Sequence, residues 1–182
     1  KMISFDDEIE RLHYLVDNNF YFNVFEKYSE AELSEITEYA KSIHFQFASY
    51  MSASKFYKDY ALKTNDKTKF LEDYNQHVAI VALYLANGNV KQAKQFISAM
   101  VEQRYQPATP TFLNAGRARR GELVSCFLLE VDDSLNSINF IDSTAKQLSK
   151  IGGGVAINLS KLRARGEAIK GIKGVAKGVL PV

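Results

Sequence analysis

Up to about residue 105, apolar side chains recur every three or four positions, the period of a helix with one buried face. Ile9, Leu12, Leu15 and Val16 share such a face. Ser29 followed by Glu32 forms a capping box, in which serine oxygen and glutamate carboxylate each satisfy an early amide, and Leu33, Ile36 and Ala40 supply the stripe behind it. Phe56, Tyr57, Tyr60 and Leu62 mark a further helix, ending near the polar stretch 63–66. Residues 69–86 read as one long, well-buried helix through Val78, Val81, Ala82 and Leu85, with Gly88 as its stop. Residues 90–104 carry Ala93, Phe96, Ile97, Met100 and Val101 on one side, and Pro107 ends that pattern.

Beyond residue 106 the period changes. Residues 107–120 read as a loop closing on the basic group Arg117, Arg119 and Arg120. Residues 121–131 are strand-like, 134–149 are helical through Leu135, Ile138, Ile141 and Leu148, and Gly152–Gly154 break that helix. A second short strand runs from Val155 to Leu159, and 160–178 form a loop rich in Lys, Arg and Gly. Strand, helix, strand at this spacing is a βαβ unit and favours parallel pairing. The expected organisation is therefore a mainly α domain over 1–106, followed over 107–182 by the opening of an α/β domain.

Composition narrows the function classes. With 23 basic and 21 acidic residues the net charge is only +2, which argues against a dedicated nucleic-acid or membrane-surface protein. No stretch reaches the roughly 18 apolar residues that span a bilayer, and Asp6, Asp7 and Glu8 stand where a signal peptide needs positive charge. The cytoplasm is the default location. The apolar ending Gly178-Val-Leu-Pro-Val and a start at the edge of a helical pattern read as a fragment of a longer chain.

The single cysteine, Cys126, excludes an intrachain disulfide and focuses the chemistry. It lies in an apolar, strand-like run behind a Thr- and Pro-rich segment, with Ser125 beside it. A buried thiol acting as a small hydrophobe is the plain alternative. His13, His44 and His77 all fall in the helical part, so neither a Cys–His nucleophile pair nor a zinc spacing emerges, and no metal site is expected. Gly152–Gly154 close a helix and open a strand, the reverse of a dinucleotide fingerprint, which weakens a Rossmann-like reading. A helix cap with close packing, or a backbone approach to a ligand, both remain open for the triplet. Asp132, Asp133 and Ser134 precede a helix, with Asp133 or Ser134 as its N-cap, and Lys161, Arg163, Arg165 and Lys170 follow the second strand. In a βαβ unit both strand exits lie at one sheet edge, so acids for a sugar hydroxyl and bases for phosphates would be neighbours.

These blocks match a family. Tyr105-Gln-Pro-Ala-Thr-Pro-Thr-Phe-Leu-Asn-Ala-Gly, Gly121-Glu-Leu-Val-Ser-Cys-Phe-Leu-Leu, Asp133-Ser-Leu and Gly152-Gly-Gly-Val-Ala-Ile-Asn-Leu-Ser-Lys-Leu-Arg resemble the large subunit of class I ribonucleotide reductases, in particular the bacterial class Ib branch. Met51-Ser-Ala-Ser-Lys-Phe-Tyr-Lys-Asp-Tyr-Ala-Leu-Lys-Thr in the helical part agrees. The resemblance implies an N-terminal helical domain and the first βαβ unit of a ten-stranded α/β barrel. It implies that Cys126 is redox-active, giving two electrons to a ribonucleoside diphosphate together with a distant cysteine. Thr109, Ser125 and Gly154 would contact that substrate. Asp133, Ser134, Leu135, Arg163 and, less strictly, Lys170 would bind a deoxynucleotide or ATP effector. Implied partners are a small subunit carrying a dimetal–tyrosyl radical, a thioredoxin- or glutaredoxin-like dithiol, and a second copy meeting along residues 134–149. Neither nucleic acid nor membrane is implied, and the piece alone is expected to be inactive. The competing view is a helical interaction module, suited by 10 Tyr and 12 Phe, in which Cys126→Ala costs only packing, about 1–3 kcal/mol.

Overall fold

A computed structural model describes residues 1–119 and 121–179, so Arg120 of the expected basic group falls outside them. By internal contacts the chain forms two compact units that part between Leu123 and Val124.

The first unit is helical: α1 (Glu8–Asp17), α2 (Glu30–Ser42), α3 (Tyr50–Asp59), α4 (Tyr74–Ala86), α5 (Val90–Val101) and α6 (Thr109–Asn114). α4 is the central element, because its sequence is apolar around nearly the whole circumference and Val78, Ile80, Val81, Ala82 and Leu83 are all buried. Against it pack α2, through Leu33, Ile36 and Ala40, and α5, through Ala93, Ile97 and Met100. Of these, Leu33, Ile36, Ile97 and Met100 each contribute about 1.5–3 kcal/mol by leaving water. The Ser29–Glu32 capping box is present, with Ser29 N donating to Glu32 Oε2 at 2.8 Å.

Several boundaries differ from the sequence reading. α4 begins at Tyr74 rather than near residue 69, because a second capping box, Asp73 with Gln76, opens it. Phe70 just before it is spent in bridges to Met2 and Lys63. α3 covers Tyr50–Asp59, earlier than its aromatic stripe suggested, and Leu62 lies outside it. α5 stops at Val101 instead of 104, since Gln103 takes a left-handed φ of 61°. The expected stop at Gly88 is shared with Asn87, and both residues are left-handed. Residues 107–120 are not all loop. They contain α6, with Pro110 in its first turn and Phe112 buried against α4. Arg117 is not part of a solvated basic face but 8% exposed in the interior.

Residues 107–123 thus go with the helical unit by packing. Gly116 explains how closely: with φ at 83°, a Cβ there would sit 2.7 Å from Ile80 Cγ1.

The second unit is a small βαβ unit: β1 (Cys126–Glu130), α7 (Leu135–Lys150) and β2 (Gly154–Asn158). The strands pair in parallel as expected, with Cys126 opposite Gly154 and Glu130 opposite Asn158. Phe127 and Leu129 are half-buried on one face of β1, and Cys126, Leu128 and Glu130 are exposed on the other. β1 is shorter than the predicted 121–131 run. No helix among the described residues is long and apolar enough to cross a membrane.

Candidate active site

Cys126 opens β1, and among the described residues its thiol is free and exposed. Ser125 lies beside it, with Oγ 3.7 Å from Sγ. The Ser125 carbonyl accepts from Gly154 N at 2.6 Å, so serine, thiol and Gly154 are fastened at one end of the two-stranded sheet. A thiol mounted on a hydrogen-bonded strand end has its approach direction set by the backbone, which positional chemistry needs.

The glycine triplet divides its labour. Gly152 N donates to Ser149 O and Gly153 N to Leu148 O, the two bonds of a Schellman cap on α7. Gly153 also lets the Phe127 ring approach, since a Cβ would fall 2.1 Å from Phe127 Cε2. Cap and packing therefore account for the first two glycines. Gly154 spends its N–H on Ser125 and stays exposed beside the thiol.

At the other end of the strands, β1 exits through Val131 into Asp132, Asp133 and Ser134. Ser134 is the N-cap of α7, accepting from Ser137 N at 3.2 Å, so the choice between Asp133 and Ser134 falls to the serine. This leaves Asp133 for another partner: Arg163 donates from Nε to Asp133 Oδ2 at 2.6 Å and from Nη1 to Ala168 O at 3.0 Å. Lys161 bridges Glu130 at 3.1 Å and Asp132 at 3.2 Å, and these hydrogen bonds raise the pKa of its ammonium. Acid and base thus meet at the strand exits, as the βαβ argument required.

Beside the Asp133–Arg163 pair lies a cavity of about 280 Å³, with Ser134, Leu135 and Lys177 also in its wall. Its floor is apolar, including Leu162 and Ile169, and Leu135 is 72% exposed at its edge. A charged pair over an apolar floor suits a ligand with both a flat and an anionic part. Lys170 sits in a left-handed turn position next to Ile169 and does not line the cavity. Lys177 and the floor residues were missed by sequence reasoning. Lys177 was hidden in a run of similar Lys/Gly positions, and three apolar residues spread over a loop carry no period.

Thr109 stands on α6 in the first unit, exposed, and accepts a long hydrogen bond of 3.5 Å from the Tyr60 hydroxyl. It is thus supported from a different unit than Ser125, Cys126 and Gly154. His77 lies inside the helical unit, as do most of the aromatic rings, with Phe56 and Phe112 packed edge-on against it and Tyr74 against Phe56. The Tyr and Phe abundance is largely consumed in that core, which weakens the interaction-module reading.

Three family models divide the chain almost end to end: ribonucleotide reductase N-terminal over 1–45, the all-alpha domain over 46–120 and the barrel domain over 124–182. The chain belongs to the ribonucleotide reductase family. Among curated reductases, it is 55% identical over 181 residues to the ribonucleoside-diphosphate reductase subunit alpha of Bacillus subtilis, covering 99% of this chain and 26% of that one. The NrdEB subunit alpha of the same organism is 56% identical over 181 residues, 99% of this chain and 17% of its own length. The subunit alpha of Mycoplasma pneumoniae is 45% identical over 174 residues, covering 95% and 24%. The chain therefore spans about a quarter or less of these reductase relatives. The helical unit followed by a parallel βαβ unit agrees with the all-alpha and barrel assignments of the reductase models.

Proposed function

We propose that this chain is the N-terminal part of the large catalytic subunit of a class Ib ribonucleoside-diphosphate reductase, a cytoplasmic enzyme that makes deoxyribonucleotides. Its helical domain leads into the first strands of a ten-stranded α/β barrel, with residues 107–123 as the passage between them. The observation that carries the reading is an exposed thiol, Cys126, at a strand end hydrogen-bonded through Ser125 to Gly154. In the whole enzyme Cys126 and a second cysteine elsewhere in the subunit give two electrons and two protons to the ribonucleotide. The ribose loses its 2′-hydroxyl as water, and the two thiols become a disulfide. A thioredoxin- or glutaredoxin-like dithiol then restores them. The radical that starts the reaction comes from the dimetal–tyrosyl centre of the small subunit.

Within this scheme Thr109, Ser125 and Gly154 line the substrate's ribose and phosphate side. Asp133, Ser134, Leu135 and Arg163 hold the effector deoxynucleotide or ATP, with Lys170 an outlying phosphate contact. The cavity supports this part: Arg163 supplies a cation, Asp133 an acceptor for a sugar hydroxyl, and the apolar floor a surface for the base. α7 carries Leu135 and Phe140, which are 72% and 69% exposed, and this supports a second copy meeting there.

The test is CDP reduction by the full-length protein with its small subunit and a dithiol, comparing wild type with Cys126→Ser. Turnover by the wild type and none by a folded mutant is expected. Equal turnover by both would remove Cys126 from the chemistry.

A further inference from the structure

α6 is too short to hold its own shape. Isolated helices are marginal below about 12–15 residues, and this one has six, with Ala108 at its N-cap making no side-chain hydrogen bond. Its support comes from the interior. His77 on α4, wholly buried, donates from Nε2 to the Phe112 carbonyl at 2.6 Å, one of the last carbonyls of α6 and so without a helical partner of its own. Arg117 Nε reaches the next one, Leu113 O, at 3.5 Å.

Both donors are locked by Glu72, which is also fully buried. Its carboxylate takes His77 Nδ1 at 2.6 Å, Arg117 Nη2 at 2.5 Å and the Leu62 amide at 2.8 Å, besides the Tyr21 hydroxyl. Arg117 Nη2 also donates to Tyr60 O at 3.2 Å, and Tyr60 in turn supports Thr109 at the opposite end of α6. Buried charge is an expensive way to fill a core, and an apolar replacement of the same volume is often as stable or more so. What the charged cluster adds is direction. Its donors end on the last turn of α6 and, through Tyr60, on the residue at its first.

The geometry points to Glu72, His77 and Arg117 as positioning residues that hold α6, and through it Thr109, in register for the substrate. This rests on the reading of Thr109 as a substrate contact.

The experiment uses the full-length reductase with its small subunit and a double-mutant cycle on CDP reduction. His77→Phe, which removes the donor, is expected to lower kcat/KM about tenfold, mainly through KM. The same substitution in a Thr109→Ala background should have little further effect, because the residue it positions is gone. His77→Gln, which keeps a donor, should recover most of the loss. Hydrogen exchange at the Phe112 and Ala115 amides should quicken in His77→Phe and not in His77→Gln. If His77→Phe does not fold, Arg117→Lys, which keeps charge but loses the forked geometry, takes its place with the same expected coupling. Strict additivity with Thr109→Ala, or unchanged exchange in α6, would overturn the inference. Thr109→Ala with unaltered kcat/KM would overturn it by another route, through the substrate reading itself, while leaving the exchange result standing.

Discussion

Glu72 shows how far a single residue departs from what its neighbours in sequence suggest. Burial alone would raise its carboxyl pKa, but Arg117 and His77 more than offset that and hold it well below the ordinary carboxylate range. A depressed folded value means stability that is present above the unfolded pKa of about 4.3 and is lost as pH falls through the folded value. The urea midpoint of the wild-type chain should therefore drop steeply below about pH 4. Glu72→Gln should cost about 3–5 kcal/mol at neutral pH by stranding Arg117, and should flatten that acid dependence. An acid profile unchanged by the substitution would show that the cluster is not ionised as described. Glycine positions make an independent test at this scale. Gly116→Ala brings a methyl onto Ile80 at a left-handed φ, and a loss of several kcal/mol in chemical denaturation is expected. None of this was legible in the sequence. Glu72, His77 and Arg117 are polar residues in unremarkable settings, and only the fold brings position 117 beside 72.

Among the elements, those with a full period or a cap signal were readable and the short or nonlocal ones were not. Ser29 with Glu32 announces α2 because capping is local chemistry between residues three apart. Asp73 with Gln76 carries the same signal for α4, but the hydrophobic Phe70 and Leu71 before it mimic continued helix. In the fold Leu71 N donates to Leu62 O and Phe70 N to Lys1 O, which is tertiary pairing that no window of sequence displays. α6 had no chance of being read from periodicity, being six residues of Thr, Pro, Phe, Leu and Asn held from outside. The βαβ unit was legible because its strands and helix differ in period and Gly152–Gly154 mark the change. Ser134 is the element-scale prediction there. Ser134→Ala removes the cap of α7 and should lower the stability of the second unit by about 1 kcal/mol, measured by hydrogen exchange along α7. No change in α7 protection would mean that the Asp132 N to Ser137 Oγ bond suffices as its start.

For the whole molecule, the change of period near residue 106 signalled a helical part followed by a βαβ part, whereas the two compact units part between Leu123 and Val124. The candidate sites were legible in part. Cys126, Ser125 and Gly154 meet at one strand end, and Asp133 meets Arg163 at the other exit, because parallel pairing puts like ends of the strands together. The apolar floor of the cavity was not, since Leu162, Ile169 and Ala176 acquire a common surface only when the 160–178 loop folds back, as in the Gly166 N to Ala176 O bond. In the full-length reductase, Arg163→Ala should abolish effector-dependent selection among substrates while CDP reduction without effector persists. Unchanged selection would move the effector elsewhere.

If Cys126 is one of the two thiols oxidised in turnover, a single reductive turnover must leave it in a disulfide. Pre-reduced full-length protein is mixed with its small subunit and CDP in the absence of any dithiol, and the cysteine peptides are mapped by mass spectrometry. dCDP should form in an amount limited by the enzyme, with Cys126 recovered in a disulfide with a second cysteine of the same subunit. Recovery of Cys126 as a free thiol alongside newly formed dCDP would contradict it.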